Sequence, residues 1–201
     1  MHTTTKIQKP RDFLSQKILG MEPILTSNGG VNEYLVLDSS GMTFRWSTYH
    51  AEGVNNATSM FPNAEGIDVH NCLLNFVSKQ QKELFTLDLD VQTWAKTSTL
   101  LGEFDAEPDQ MARILGNFEA LYFCEEGGTS SDVHGRDTTG KFFTVVEDVE
   151  YTSCGQETTG LAFSPDSKFM YVAYQEESHI HAFWRTHGVL CDASVAEIKY
   201  H

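Results

Sequence analysis

The chain has 201 residues, with 28 Asp and Glu against 14 Lys and Arg, a formal charge of −14, and 40% hydrophobic residues. That is enough apolar material for one ordinary domain with a buried core, and charged residues at 21% with aromatics at 11% exclude a disordered polyelectrolyte. Scarce Lys and Arg leave no basic face to neutralise phosphates, which excludes nucleic acid and an anionic membrane surface as partners and suits cations instead.

Met1 to Arg11 is polar and basic with no apolar h-region, and so does not read as a secretory signal. No apolar run approaches the roughly 18 to 20 residues that a membrane span needs. The chain is therefore read as cytosolic or as a piece of a longer precursor. Residues 1–30 are expected to form an N-terminal extension, in which Arg11 to Leu19 is a short amphipathic helix or a loop. Residues 31–201 carry the fold, and Asn32 to Leu37 with Met42 to Ser47 reads as a hairpin at its start. Asn56-Ala57-Thr58 is a glycosylation sequon, too common to place the chain. Cys72, Cys124, Cys154 and Cys191 lie far apart without CxxC spacing, which argues against a zinc ribbon while leaving one or two disulfides open.

From Glu65 onward the chain repeats itself at about 45 residues. The first unit takes in Glu65 to Val69, Leu73 to Lys79 and Glu83 to Asp90. The second takes in Asp109 to Ile114, Ala120 to Glu125 and Gly140 to Glu147, and the third Glu157 to Phe163, Phe169 to Gln175 and His179 to Arg185. Each reads strand, turn, strand, loop, strand, with turn formers such as Ser164-Pro165-Asp166-Ser167 between short Phe-, Tyr- and Val-rich runs. Val195 to Tyr200 reads as a closing or outer strand. Repeats of this length predict an all-β fold, a partial β-propeller of four-stranded antiparallel blades, about three full blades plus parts of others. A sandwich would not repeat the same order of aromatic, acidic and apolar positions three times. Propellers close with roughly four to eight blades, so a missing N-terminal half or a partner chain is expected, and the upstream hairpin is assigned to the outer edge of a preceding blade.

Chain reversal in a hairpin brings the start of one strand and the end of the next to one edge. That pairs Glu65 with Lys79, Asp109 and Gln110 with Glu125, and Glu157 with Gln175, all at one end of their blades. Carboxylates gathered there repel one another, and a bound cation would relieve them. Glu65, Asp109 and Glu157 are thus candidate metal ligands, and an oxygen-rich set favours Ca²⁺ over zinc. The plainer alternative is strand capping or a salt bridge such as Glu65 with Lys79. Cys124, beside Glu125 and Glu126, is either a thiolate ligand or an inert core residue. In the polar loop Asp132 to Asp137, His134 offers a proton carrier and Arg136 an anion clamp.

Several of these runs are similar to a known family. Ala64-Glu65-Gly66-Ile67-Asp68, Val77-Ser78-Lys79, Pro108-Asp109-Gln110, Leu121 to Gly128, Val133-His134-Gly135-Arg136-Asp137 and Glu157 to Asp166 together resemble PhoX-like proteins, the family that includes the PhoX-type alkaline phosphatases. The match covers roughly residues 30 to 201, and its most specific parts are the Glu-Gly segment and Glu-Thr-Thr-Gly-x-x-Phe-Ser-Pro-Asp. The resemblance implies a six-bladed propeller of which this chain is the C-terminal half. It also implies a secreted or periplasmic setting and hydrolysis of a small phosphate ester by calcium and iron. It makes Glu65 and Glu157 metal ligands with Asp109 a further one. The family's cysteine-bearing metal segment belongs to an earlier blade, so Cys124 receives no iron.

Two functions follow as expectations. The first is metal-dependent phosphomonoester hydrolysis, with Glu65, Asp109 and Glu157 on the metal and Arg136 or Lys79 orienting the phosphate. The alternative is a calcium-binding interaction module or a lactonase-like hydrolase, because propellers host many unrelated functions.

Overall fold

A computed structural model describes residues 31–114, 120–128, 132–147, 158–174, 179–185 and 193–199, with backbone alone for most of the last two segments. The expected helix at Arg11 to Leu19, Glu157, Gln175, Cys154 and Cys191 lie outside the described residues. Among the described residues no helix is long and apolar enough to cross a membrane.

The chain is built of strands: β1 (Tyr34–Asp38), β2 (Thr43–Ser47), helix α1 (His50–Met60), β3 (Ala64–His70), β4 (Leu73–Ser78), β5 (Glu83–Asp88) and β6 (Thr93–Ser98). After a single 3₁₀ turn come β7 (Glu107–Arg113), β8 (Leu121–Glu126), β9 (Val133–Arg136), β10 (Phe142–Val146), β11 (Thr158–Phe163), β12 (Phe169–Tyr174), β13 (His179–Arg185) and β14 (Ala193–Lys199). Each repeat makes an antiparallel meander. The orders are β3-β4-β5-β6 within a six-stranded sheet, β7-β8-β9-β10, and β11-β12-β13-β14. The fold class is therefore the expected one, all-β with the four-stranded propeller blade as its unit.

Two details differ from the sequence reading. The β1-β2 hairpin does not belong to a separate earlier blade; it extends the first blade's sheet beyond β6. The join is short, through Thr43 opposite Thr93 and bonds from Phe44 N–H to Gln92 O and Trp94 N–H to Met42 O. In addition, the Asp132 to Asp137 segment is not a loop, because Val133–Arg136 forms β9. Its Gly135 lies under the Phe143 ring, where a Cβ would stand 2.3 Å from Cζ. A run of four residues with glycine in it carries too little alternation to be read as a strand.

By internal contacts the chain forms two compact units. The first holds the described residues up to Asn63 with Val69–Leu74 and Thr86–Ala95. In it β1 alternates Leu35 and Leu37 inward, and α1 lies on the hairpin through buried Gly53 and Ala57, four residues apart on one face. Asn56 fixes the helix by accepting from Leu37 N–H at 2.8 Å and donating to Leu37 O at 2.9 Å. These two hydrogen bonds engage the sequon's carboxamide.

The second unit holds Ala64–Asp68, Asn75–Phe85 and the described residues from Lys96 onward. Here neighbouring blades share cores. Val77 and Leu84 pack with Phe104, Met111, Leu121, Phe123 and Phe142, and Tyr122, Cys124 and Val133 with Leu161, Met170, Val172 and Tyr174. Covered on both faces, β8 buries both its odd and its even positions. The turn Ser164 to Phe169 closes β11 on β12 as the sequence predicts, with Ser164 N–H on Phe169 O at 2.9 Å.

Gly53 tests the helix docking. A Cβ there would stand 2.3 Å from Tyr34 Cβ, far inside the roughly 3.5 to 4.0 Å of a good carbon contact. Alanine gains up to about 1 kcal/mol of helix propensity but incurs an overpacking cost of about 1 to 3 kcal/mol. Gly53→Ala is therefore expected to lower the unfolding midpoint in denaturant; an unchanged or raised midpoint would contradict the close packing of α1 on β1.

Candidate functional site

At one edge of the second blade β7 begins and β8 ends, with Glu107 opposite Glu126 and Pro108 opposite Glu125. Between Pro108 and Met111 the register slips, and this bulge carries Asp109, which is 4% exposed. A bulge re-aims side chains at a strand end. The first blade meets it closely. Gly66, at φ +28°, leaves room for the Asp109 backbone, and a Cβ there would lie 2.6 Å from Asp109 O and 2.7 Å from Met111 N. Only glycine suits both the positive φ and the contact.

Lys79 follows β4 at this same edge. Its ammonium lies 3.9 Å from Asp109 Oδ1 and in direct contact with the Glu126 carboxylate. The lysine side chain is 14% exposed and Asp109's 6%, against 38% for Glu126. An ion pair this shielded is screened little by salt. Thus a protein cation sits against the carboxylates of this edge. Glu65 is half-buried on β3, next to Gly66 and therefore beside the same bulge. Glu157, the third expected ligand, lies outside the described residues.

Arg136 is elsewhere. It pairs with Leu121 across β8 and β9, and Leu121 is five residues from Glu126, about 16 Å along a strand. Lys79 and Arg136 therefore stand at opposite edges of the blade and do not share a substrate group. The Arg136 guanidinium lies 5.7 Å from the Phe142 ring centroid. Burial pulls its pKa below the usual arginine value, against the opposing charge of Asp137.

Behind the edge lies a buried polar node. Glu125 is 0% exposed, as is His134, and Asp132 is 8% exposed. Asp105 and Ala106 donate their N–H groups to Glu125 Oε1 at 2.9 and 2.6 Å. The second oxygen, Oε2, lies 2.9 Å from His134 Nε2, and His134 Nδ1 lies 3.3 Å from Thr144 Oγ1. One neutral tautomer satisfies both contacts, with Nε2–H donating to Glu125 and Nδ1 accepting from the threonine. Phe104 covers the imidazole with ring centroids 4.2 Å apart. From the third blade Thr158 Oγ1 accepts from Glu125 N–H, and its proton reaches Glu125 O or Asp132 O, all at 3.0 Å.

Glu125, Asp132 and His134 are also a set with metal-ligand chemistry, their donor atoms within 4.8 Å of one another. Within this set Glu125 Oε1 accepts from two backbone N–H groups and Oε2 faces His134. The sequence reading singles out Glu125 as an edge carboxylate and His134 as a proton carrier in a polar loop, and nothing in the sequence signals that Asp132, Thr144 and Thr158 join them. Cys124 is a buried free thiol within the core, and Cys72 an exposed one.

No family model and no curated protein matches the chain. Solved structures do. Streptogramin B lyase is similar with a TM-score of 0.52 at 12% identity, covering 69% of this chain and 41% of its own. The extracellular domain of BT4673 from B. thetaiotaomicron is similar with a TM-score of 0.53 at 14% identity, over 80% of this chain and 19% of its own. A provisionally assigned 6-phosphogluconolactonase from Bacteroides uniformis ATCC 8492 matches with a TM-score of 0.50 at 14% identity, over 88% and 52%. The chain thus spans between about a fifth and a half of these three proteins, and at these identities the likeness establishes the propeller fold alone.

The node yields a paired expectation. Glu125→Ala strips the acceptor from two backbone N–H groups and from His134, at about 1 to 3 kcal/mol for each buried donor left unpaired, so a loss of about 3 kcal/mol or more is expected in urea unfolding. Glu125→Gln keeps an oxygen for the two N–H groups and turns its amide toward the other His134 tautomer, and should retain most of the stability. Equal, small losses for both variants would contradict the node.

Proposed function

We propose that this chain contributes the site of a lactonase-like propeller hydrolase, acting on small cyclic esters at the blade edge formed by Lys79, Asp109 and Glu126. The observation that carries the reading is the shielded Lys79 ammonium held between a buried carboxylate and an exposed one. Ester hydrolysis needs a positive group where the carbonyl oxygen gains charge, and a base for water. Lys79 supplies the first and the more exposed Glu126 the second, while Asp109 positions the ammonium. Water attacks the carbonyl carbon as Glu126 takes its proton. The oxyanion forms against Lys79, and the ring C–O bond then breaks as Glu126 returns the proton to the leaving oxygen, giving a hydroxy acid.

The likeness to a provisionally assigned lactonase supports this over phosphomonoester hydrolysis, which the PhoX resemblance implies. It requires neither calcium nor iron, because the lysine provides the positive charge. Arg136 has no part in it, being at the other edge of the blade.

Hydrolysis of glucono-δ-lactone, followed with a pH indicator, tests the reading. Removing one oxyanion donor costs about 100- to 1,000-fold in turnover, so Lys79→Ala should fall by at least about 100-fold with Lys79→Arg intermediate. A folded Lys79→Ala protein as active as the parent would defeat the assignment.

Chelation separates the two hydrolytic readings. Dialysis against EDTA should leave lactone turnover within about twofold, since a Lys79 electrophile does not depend on a Lewis acid. Activity that collapses and returns only with Ca²⁺ would instead favour a metal held by Glu65, Asp109 and Glu157.

A further inference from the structure

The buried polar node behind the blade edge carries a chemistry that neither the Lys79 edge nor the expected carboxylate set uses. We propose that Glu125, Asp132 and His134 form a binding site for one divalent transition-metal ion of the zinc class, which braces β8 against β9. Strand alternation brings the three side chains together. His134 pairs with Phe123 and Val133 with Cys124 across the two strands. Glu125, two residues after Phe123, and Asp132, two residues before His134, therefore lie on the same face of the ladder as His134. Cys124 and Val133 alternate to the other face, where they pack with the core of the third blade.

Donor chemistry and spacing are the first argument. The set offers two carboxylate oxygens and one imidazole nitrogen, all within 4.8 Å of one another. Glu125 Oε2 and His134 Nε2 already stand 2.9 Å apart. Two ligand atoms about 2.0 to 2.1 Å from a tetrahedral zinc ion are about 3.3 Å from each other, so this pair has to open by only about 0.4 Å. Glu125 and His134 are 0% exposed and Asp132 8%. Buried carboxylates at this range repel one another, and a dication between them offsets that repulsion and balances their charge. The imidazole decides the class of ion, because zinc and its neighbours take nitrogen readily whereas Ca²⁺ and Mg²⁺ take oxygen.

The groups around the donors are the second argument. Ligands of a protein-bound metal are held in place by outer hydrogen bonds to the atoms that do not touch the ion. Glu125 has this support, since Oε1 accepts from Asp105 and Ala106 N–H at 2.9 and 2.6 Å, which aims Oε2 toward His134. The imidazole has it too, with Nδ1 3.3 Å from Thr144 Oγ1. A hydroxyl accepts as well as it donates. When the ring proton moves from Nε2 to Nδ1, the Nε2 lone pair is free for the ion and Nδ1–H donates to Thr144, with the ring still in place. Phe104 lies against the imidazole at 4.2 Å between centroids, an apolar wall that keeps water from competing for the ion.

Zinc chloride titrated by calorimetry into the full chain after dialysis against EDTA, with Co²⁺ as a spectroscopic probe, is the test. The parent should bind zinc tightly, with a dissociation constant below about 1 μM, and zinc but not Ca²⁺ should raise its unfolding midpoint in urea. Bound Co²⁺ should show visible d–d absorption without a thiolate charge-transfer band, which separates the node from Cys72 and Cys124. Thr144→Val, at an exposed position, removes the acceptor for Nδ1–H and should weaken zinc about 10- to 100-fold. Asp132→Asn removes the charge of a ligand and should weaken it more; if that variant does not fold, Thr144→Val carries the comparison. None of these readouts uses lactone turnover, so they stand apart from the Lys79 reading. The proposal is overturned if no tight zinc binding is found, or if the folded variants bind as the parent does, the mark of an adventitious ion only. A thiolate band with Co²⁺, or Ca²⁺ stabilising the chain as well as zinc does, would equally overturn it.

Discussion

A carboxylate buried inside a blade needs hydrogen-bond partners, and Glu125 is held together with three neighbouring segments. It holds the Asp105 and Ala106 amides that lead into β7, the His134 imidazole on β9, and through its backbone the Thr158 hydroxyl of the next blade. Four segments are thereby tied at one point where apolar packing alone would leave polar backbone stranded. The edge that presents Asp109 and Glu126 takes its geometry from this node, because Glu126 is the next residue of β8 and Asp109 lies just beyond the held amides.

Electrostatics at that edge follow from the fixed backbone. The bulge turns Asp109 inward, Gly66 lets the first blade's inner strand approach it, and Lys79 reaches across with its ammonium. The sequence argument left these carboxylates either a bound cation or a salt bridge such as Glu65 with Lys79; the structure places Lys79 against Asp109 and Glu126.

Much of this was legible in the chain. The 45-residue repeat exposed the blades, since strand alternation and turn residues such as Ser164 and Asp166 recur in step with the fold. The hairpin rule placed Asp109, Glu125 and Lys79 at a common edge. Helix α1 was not legible: its docking face consists of Gly53 and Ala57, which carry almost no hydrophobic contrast against Asn55 and Ser59. Strand β9 escaped notice for a similar reason, its four residues containing both a glycine and a histidine. The Glu125 node was half visible, in that Glu125 and His134 were each singled out, one as an edge carboxylate and the other as a proton carrier in a polar loop, while their burial against each other was not. Their partners are backbone amides and threonine hydroxyls, which no composition or spacing singles out. The separation of Arg136 from Lys79 depends on strand register, and register became fixed only once Val133–Arg136 paired with β8.

The most direct test of the account is amide hydrogen exchange at Asp105 and Ala106. These two residues precede β7 and belong to no strand, and their N–H groups donate to the Glu125 carboxylate rather than to a sheet ladder. The account predicts that both amides exchange as slowly as those at the centre of β8. Exchange at the rate of an open loop, with β8 still protected, would show that Glu125 does not hold this edge, and the arrangement of Asp109, Glu126 and Lys79 would lose its foundation.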